Sequence, residues 1–188
     1  MADTVVLPEF APENVWEWTA DEVQSAIEAG VLKDPEHFEL LGGRLIRKMA
    51  KGEAHILVHS LLMQALVVAF APNHLVRSEA PVALSRTTEP EPDFLVVPRE
   101  TVGNLSRPRG DQAILAIEIS VTSLKDDLGW KKDLYAQAGI PEYWVIDCEG
   151  RRVFIHRHPF GRDYRNIEIL HEEDALPGLS IRVSDVLP

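Results

Sequence analysis

One cysteine in 188 residues, Cys148, excludes an internal disulfide framework and a cysteine-rich zinc site. No apolar run reaches the roughly 18 residues that cross a bilayer, so no membrane partner is expected. The opening stretch MADTVVLPEFAPENVWEW lacks a basic segment followed by an apolar one, and a cytoplasmic location is expected over secretion. There is no G-x-S-x-G elbow and no Walker loop, which leaves acyl transfer by a serine and nucleotide hydrolysis without support. His55 and His59 stand four apart, but Ile56 follows the first of them where the zinc-protease motif requires glutamate. Positive charge is scarce too. Nineteen Lys and Arg face thirty Asp and Glu, a formal charge of −11, which opposes a sequence-independent clamp on nucleic acid.

What remains is an ordinary globular composition, 45% hydrophobic and 26% charged, with no repeat and no interdomain linker. One domain over residues 18–188 is expected, preceded by an extended arm at 1–17. Thr19 caps a short helix over about 20–29, and Gly42–Gly43 marks a hairpin within 38–47. Apolar residues from Ile56 to Phe70 recur at helical spacing, and a second helix is predicted over 124–138, stopped by Gly139 and Pro141. Strands are predicted at 74–79, 93–98, 113–120, 142–147, 151–157, near 164–170 and at 179–183. Interleaved strands and helices predict an α/β layered domain with a mixed sheet.

The segment AILAIEIS at 113–120 is the most informative. Leu115, Ile117 and Ile119 take one face, and Ile114, Ala116, Glu118 and Ser120 the other, so this is a central strand covered on both sides. Glu118 interrupts it, and a buried carboxylate requires a partner, a hydrogen bond or a metal. Asp93 opens the run Phe94–Val97 directly after Glu89–Pro90–Glu91–Pro92. If the two strands are neighbours, Asp93 and Glu118 converge, and two close carboxylates favour a raised pKa or a bound cation such as Mg²⁺. Lys131 and Tyr135 lie one turn apart on the following helix, near Glu118. Carboxylate, carboxylate and lysine suit hydrolysis of a phosphodiester. Each residue also has an ordinary reading. Asp93 could be a strand-start residue, Glu118 half of a core ion pair, and Lys131 a helix-surface partner of Asp127.

The series Pro92–Asp93, then Glu118–Ile119–Ser120, then Asp127–Leu128–Gly129–Trp130–Lys131, then Tyr135 through Asp147 (YAQAGIPEYWVID) resembles the Uma-two family. These are restriction-endonuclease-like proteins of the PD-(D/E)XK nuclease superfamily. Phe38–Leu45 and Glu53–Ala54–His55 also resemble the family's N-terminal pattern, and the likeness runs from about residue 18 to 147. The resemblance implies a restriction-endonuclease-like mixed β-sheet flanked by helices and a metal-dependent endonuclease acting on DNA. It implies Mg²⁺, with Mn²⁺ as a substitute, held by Asp93 and Glu118, and Lys131 as the catalytic amine. His55 and Tyr135 are auxiliary candidates. Ser120 stands where the superfamily usually has lysine, so the amine is expected to come from Lys131 on the helix; Lys125 and Lys132 are weaker candidates. A nuclease fold retained as an inactive binding module, and the same chemistry on RNA, stay open as alternatives.

Duplex cleavage suits two active sites, so a homodimer is expected, with Trp16, Trp18, Trp144, Val153, Phe154 and Ile155 as candidate contacts. The bases cluster at Arg44, Arg47, Lys48 and Lys51; at Arg107 and Arg109; and at Arg151, Arg152 and Arg157. If these clusters share the face of Asp93 and Glu118, local charge can oppose the net charge.

Overall fold

The structure, a computed structural model, describes residues 15–102 and 107–187, so most of the arm expected at 1–17 lies outside the described residues. Its centre is a six-stranded sheet of β3 (His74–Ser78), β4 (Phe94–Pro98), β5 (Leu115–Ser120), β6 (Glu142–Asp147), β7 (Arg152–Phe160) and β8 (Asp163–Leu170), hydrogen-bonded in that order. Only β5 and β6 run parallel, which a crossover must bridge, and the helical segment 124–137 does so. All six residues of β5 are buried. The two-faced reading of AILAIEIS therefore holds, with Phe94, Val96, Leu115, Ile117, Ile119, Trp144 and Ile146 in one core and Leu95, Val97, Ala116, Tyr143 and Val145 in the other.

The first core is closed by α2 (Glu53–Phe70), which seats Val58, Leu62 and Leu66 against it. This helix bears on the membrane expectation. It has 18 residues at mean hydropathy 1.6, enough by length and composition to cross a membrane. Glu53, His55, His59, Ser60 and Gln64 break its apolar run, so run length alone missed it. Its outer side leaves Ile56, Leu57, Val67 and Val68 exposed.

The second core is closed by the segment after β5, consisting of α3 (Leu124–Asp126), a wide π-helical turn over Asp127–Lys131, and α4 (Lys132–Gln137). The helix predicted over 124–138 is thus interrupted, because Gly129 leaves the helical region at φ −102°, ψ −112°. Residues 179–183 also depart from prediction. They form one bridge, Ala175 with Arg182, and lead into α5 (Val183–Val186). Leu176, Leu179, Val183 and Val186 close the end of the first core, which a short alternating run does not distinguish from strand pairing.

A smaller layer lies before α2. α1 (Ala20–Glu28) starts at a Thr19–Glu22 capping box, and β1 (Phe38–Leu41) pairs with β2 (Arg44–Arg47) as an antiparallel hairpin. Gly43 is required there. Its φ is +73°, and a Cβ would sit 2.5 Å from the Glu17 Cβ and 2.9 Å from the Glu17 Cα. Trp144, Val153 and Ile155 are buried in the protein's own core, which removes them as subunit contacts.

Candidate active site

β4 and β5 pair antiparallel with Phe94 opposite Ile117, so one further step sets Asp93 opposite Glu118. Opposed residues of an antiparallel pair project on the same face. The closure is visible in a hydrogen bond, since the Ile119 N–H donates to Asp93 Oδ2 at 2.7 Å. Both carboxylates are buried, Asp93 at 5% and Glu118 at 5% exposure. The juxtaposition expected from the sequence is present.

Each carboxylate has its own set of partners. Lys51 Nζ donates to Asp93 Oδ1 at 2.9 Å and lies 3.0 Å from Glu79 Oε1. His55, near the start of α2, brings Nε2 to 3.0 Å from the same Asp93 oxygen. On the other side of the site, Tyr135 Oη donates to Glu118 Oε1 at 2.7 Å. Lys131 Nζ lies 3.2 Å from Glu118 Oε2 and 3.2 Å from Asp127 Oδ1. The contact to Asp127 is an ion pair and not a directed hydrogen bond, since Oδ1 accepts none. Asp127 is otherwise held through Oδ2, which accepts from Ser123 Oγ at 2.5 Å.

These surroundings push the two acids apart. Burial raises Glu118 far above the ordinary carboxylate range; Lys131 opposes this, while Asp93 and Asp127 add to it. Burial acts on Asp93 in the same sense but is outweighed by His55, Lys51 and the Ile119 N–H, which hold it below its ordinary value. Burial acts to lower the Lys131 pKa, yet Glu118, Asp127 and Glu39 together outweigh it and keep the amine firmly protonated. Tyr135 is pushed up by burial and by Glu118, so it remains a donor. The arrangement offers one anionic carboxylate, one that exchanges a proton near neutrality, and a cation between two acids.

Lys131 ends the wide turn over Asp127–Lys131, two residues after the interruption at Gly129. Ser120 lies on the same face as Glu118, and its short hydroxyl reaches only Ser123 Oγ at 3.4 Å. Lys132 points elsewhere and binds Asp163 Oδ1 at 2.7 Å, while Lys125 is exposed. Three participants went unassigned from the sequence. Lys51 was counted only as part of a basic cluster. Asp127 was named only as a helix-pair partner. Glu39, whose carboxyl is pushed up by burial and drawn back by Lys131, carried no signal beyond its place in the hairpin motif.

The basic clusters do not behave as one surface. Arg107 binds Glu89, Arg109 binds Asp111, Arg151 binds Glu172, Arg152 binds Asp147, and Arg157 binds Glu142 and Glu168. Lys48 binds Glu91 at 2.6 Å, and Lys51 is committed to Asp93. Of the grouped bases, Arg44 and Arg47 have no ion pair among the described residues. Local cancellation, invisible in a residue count, thus removes most of the grouped positive charge, and the other bases without an ion pair among the described residues, such as Lys33, Arg77, Arg86 and Lys125, are spread along the chain.

The donor set fits a hard divalent cation. Two carboxylates share a face, and Mg²⁺ commonly takes one or two carboxylates and completes its shell with water. Asp93 and Glu118 would hold it. Among the described residues no group of three or more His, Cys, Asp or Glu is arranged to hold a metal, so a closed zinc-type cage does not fit.

A family described as "Uma2: Putative restriction endonuclease" matches residues 23–184. Among solved structures, the chain resembles a protein from Anabaena variabilis ATCC 29413 described as a "putative nuclease belonging to DUF820". The TM-score is 0.69 at 19% identity, over 90% of this chain and 97% of that one. The likeness establishes a shared restriction-endonuclease-like fold. The type IIG restriction endonuclease BpuSI aligns at a TM-score of 0.43 and 15% identity, over 77% of this chain and 17% of that one. No curated protein matches.

Proposed function

The chain belongs to the Uma2 family, and from that premise we propose that it is a Mg²⁺-dependent endonuclease that hydrolyses DNA phosphodiester bonds at Asp93, Glu118 and Lys131. The observation that carries this reading is the convergence of two buried carboxylates on one face, with Lys131 Nζ 3.2 Å from Glu118. Bound between the acids, the cation would lower the pKa of a water and offset phosphate charge, and Mn²⁺ would substitute for it. Asp93 and Glu118 would be its ligands. His55 orients Asp93 from α2, and Tyr135 fixes one oxygen of Glu118 through its hydroxyl. Lys131 orients the attacking water and stabilises charge on the phosphate. The protein works in the cytoplasm as one domain over 18–188, as a homodimer.

The test is incubation of purified protein with plasmid DNA and Mg²⁺, beside Asp93→Ala, Glu118→Ala and Lys131→Ala. Nicking or linearisation by the wild type alone is expected. Cleavage that survives in all three variants removes the assignment. Structured RNA in a parallel arm separates the two substrates.

One observation favours a second reading, an inactive binding module. Both acids are already paired with lysines, which satisfies them without a metal. Calorimetry separates the two, because a module gives no Mg²⁺ heat that depends on Asp93 and Glu118.

A further inference from the structure

The chain has four tryptophans. Trp144 is buried in the sheet core, whereas Trp130, immediately before Lys131, is 41% exposed. Its ring centroid is 5.9 Å from Lys131 Nζ, the same ammonium that lies 3.2 Å from Glu118. In a regular helix consecutive side chains diverge by about 100°. Here the wide turn at Gly129 lets the ring of residue 130 lie over the amine of residue 131. An aromatic surface of indole size is thus presented at the lip of a site made otherwise of charges.

The hairpin adds a cation. The β1–β2 register pairs Glu39 with Ile46 and Leu41 with Arg44, and alternation puts Glu39, Ile46, Leu41 and Arg44 on one hairpin face. The Glu91 N–H, two residues before Asp93, donates to Glu39 Oε2 at 3.4 Å, and Glu39 and Lys131 act on each other's charge, so the Glu39 end of this face lies near the site. Arg44 has no ion pair among the described residues. A flat aromatic next to the reacting centre, with an unspent guanidinium on the hairpin, is the chemistry that binds single-stranded nucleic acid. In a continuous duplex each base is already stacked on its neighbours and has no face free. Stacking also suits a chain of net charge −11, since it supplies affinity that phosphate contacts alone cannot.

We infer that Trp130 stacks on an unpaired base beside the phosphate held at Lys131, so that the site prefers single strands, frayed ends and flipped nucleotides over continuous duplex. The inference rests on the nuclease reading for the location of the phosphate. Arg44 contributes a phosphate contact on the hairpin side.

The experiment measures binding without cleavage. Fluorescein-labelled oligothymidylate, the same oligomer paired with oligoadenylate, and an abasic oligomer of equal length are titrated with protein in EDTA. Wild type is expected to bind the single strand about tenfold more tightly than the duplex, the factor one stacked base supplies. Trp130→Leu, which keeps apolar bulk, loses that factor on the single strand and leaves duplex and abasic binding unchanged, while Trp130→Phe retains part of it. Arg44→Gln weakens all three ligands and reduces the salt dependence. Equal losses on single strand and duplex in Trp130→Leu, or no loss on either, overturn the inference. A parallel Mg²⁺ cleavage assay on wild type keeps the two readings apart. Strand-selective binding without cleavage removes the nuclease reading and retains the stacking role. Cleavage of continuous duplex that Trp130→Leu leaves unchanged, with no preference for single strands, does the reverse.

Discussion

Lys131→Met removes the ammonium lying 3.2 Å from both Glu118 and Asp127, whose side chains are 6% and 1% exposed. Leaving one partner of a buried pair uncompensated costs about 3–5 kcal/mol. Here the cost depends on pH, because Glu118 has an escape. In the native wild-type protein its pKa is pushed up to about 8, with Lys131 the main group holding it back. A carboxylic acid protonated in the folded state and ionised in the unfolded one gives the folded state more bound protons. Stability is then full below the ordinary carboxylate value and falls by up to about 1.4 kcal/mol per pH unit above it, until the folded group ionises. Wild type should therefore lose stability as pH rises from about 5 and level off above about 8. Without Lys131 the folded pKa climbs further and the decline continues. At about pH 6 Glu118 is protonated in both proteins, and the cost is that of Asp127 losing its cation, about 1–3 kcal/mol. At about pH 9 it grows to about 3–5 kcal/mol, or roughly 10 °C in Tm for a chain of this size. Urea unfolding followed by circular dichroism across that range measures both curves. Lys131→Met/Glu118→Gln should flatten the slope and recover the pH-dependent part. Parallel wild-type and Lys131→Met curves, or a double variant as pH-sensitive as the single one, would refute the reasoning.

Three further outcomes are expected. Lys51→Met removes the ammonium that competes for Asp93 Oδ1, so Mg²⁺ binding by calorimetry should tighten several-fold while the metal-free protein loses stability; weaker Mg²⁺ binding would contradict that competition. Gly43→Ala should cost about 1–3 kcal/mol, because φ is +73° and the new Cβ meets the Glu17 backbone. Gly42→Ala, with φ +54° but nothing within 4 Å, should cost about 1 kcal/mol, and equal losses at the two glycines would discount the Glu17 contact. Leu62→Ala, fully buried between α2 and the sheet, should cost about 2–5 kcal/mol in urea unfolding, and a cost under about 1 kcal/mol would mean that α2 closes over the cavity.

The centre of the fold was legible because β4, β5 and β6 are apolar on both faces, and a polar residue in such a strand stands out. Glu118 was found that way, and Asp93 followed from its place ahead of β4. Lys51 could not be found so. It reaches Asp93 across 42 positions of chain, from a loop with no periodicity. The interruption at Gly129 was equally hidden, since the apolar spacing of 124–138 continues on both sides of it. The basic clusters misled for an electrostatic reason. Sequence neighbours such as Arg151 and Arg152 look additive, yet each faces a separate carboxylate.

The two carboxylates draw their partners from opposite layers of the molecule. Lys51 and His55 approach Asp93 from the α2 side, while Lys131 and Tyr135 approach Glu118 from the crossover that covers the other core. Neither half can be set until its own helix has docked, and the Ile119 N–H that ties Asp93 to β5 needs the central strands already paired. The site is thus complete only where both covering segments are seated on the paired central strands. Undocking either segment alone would therefore take one carboxylate's partners away and leave the other's in place.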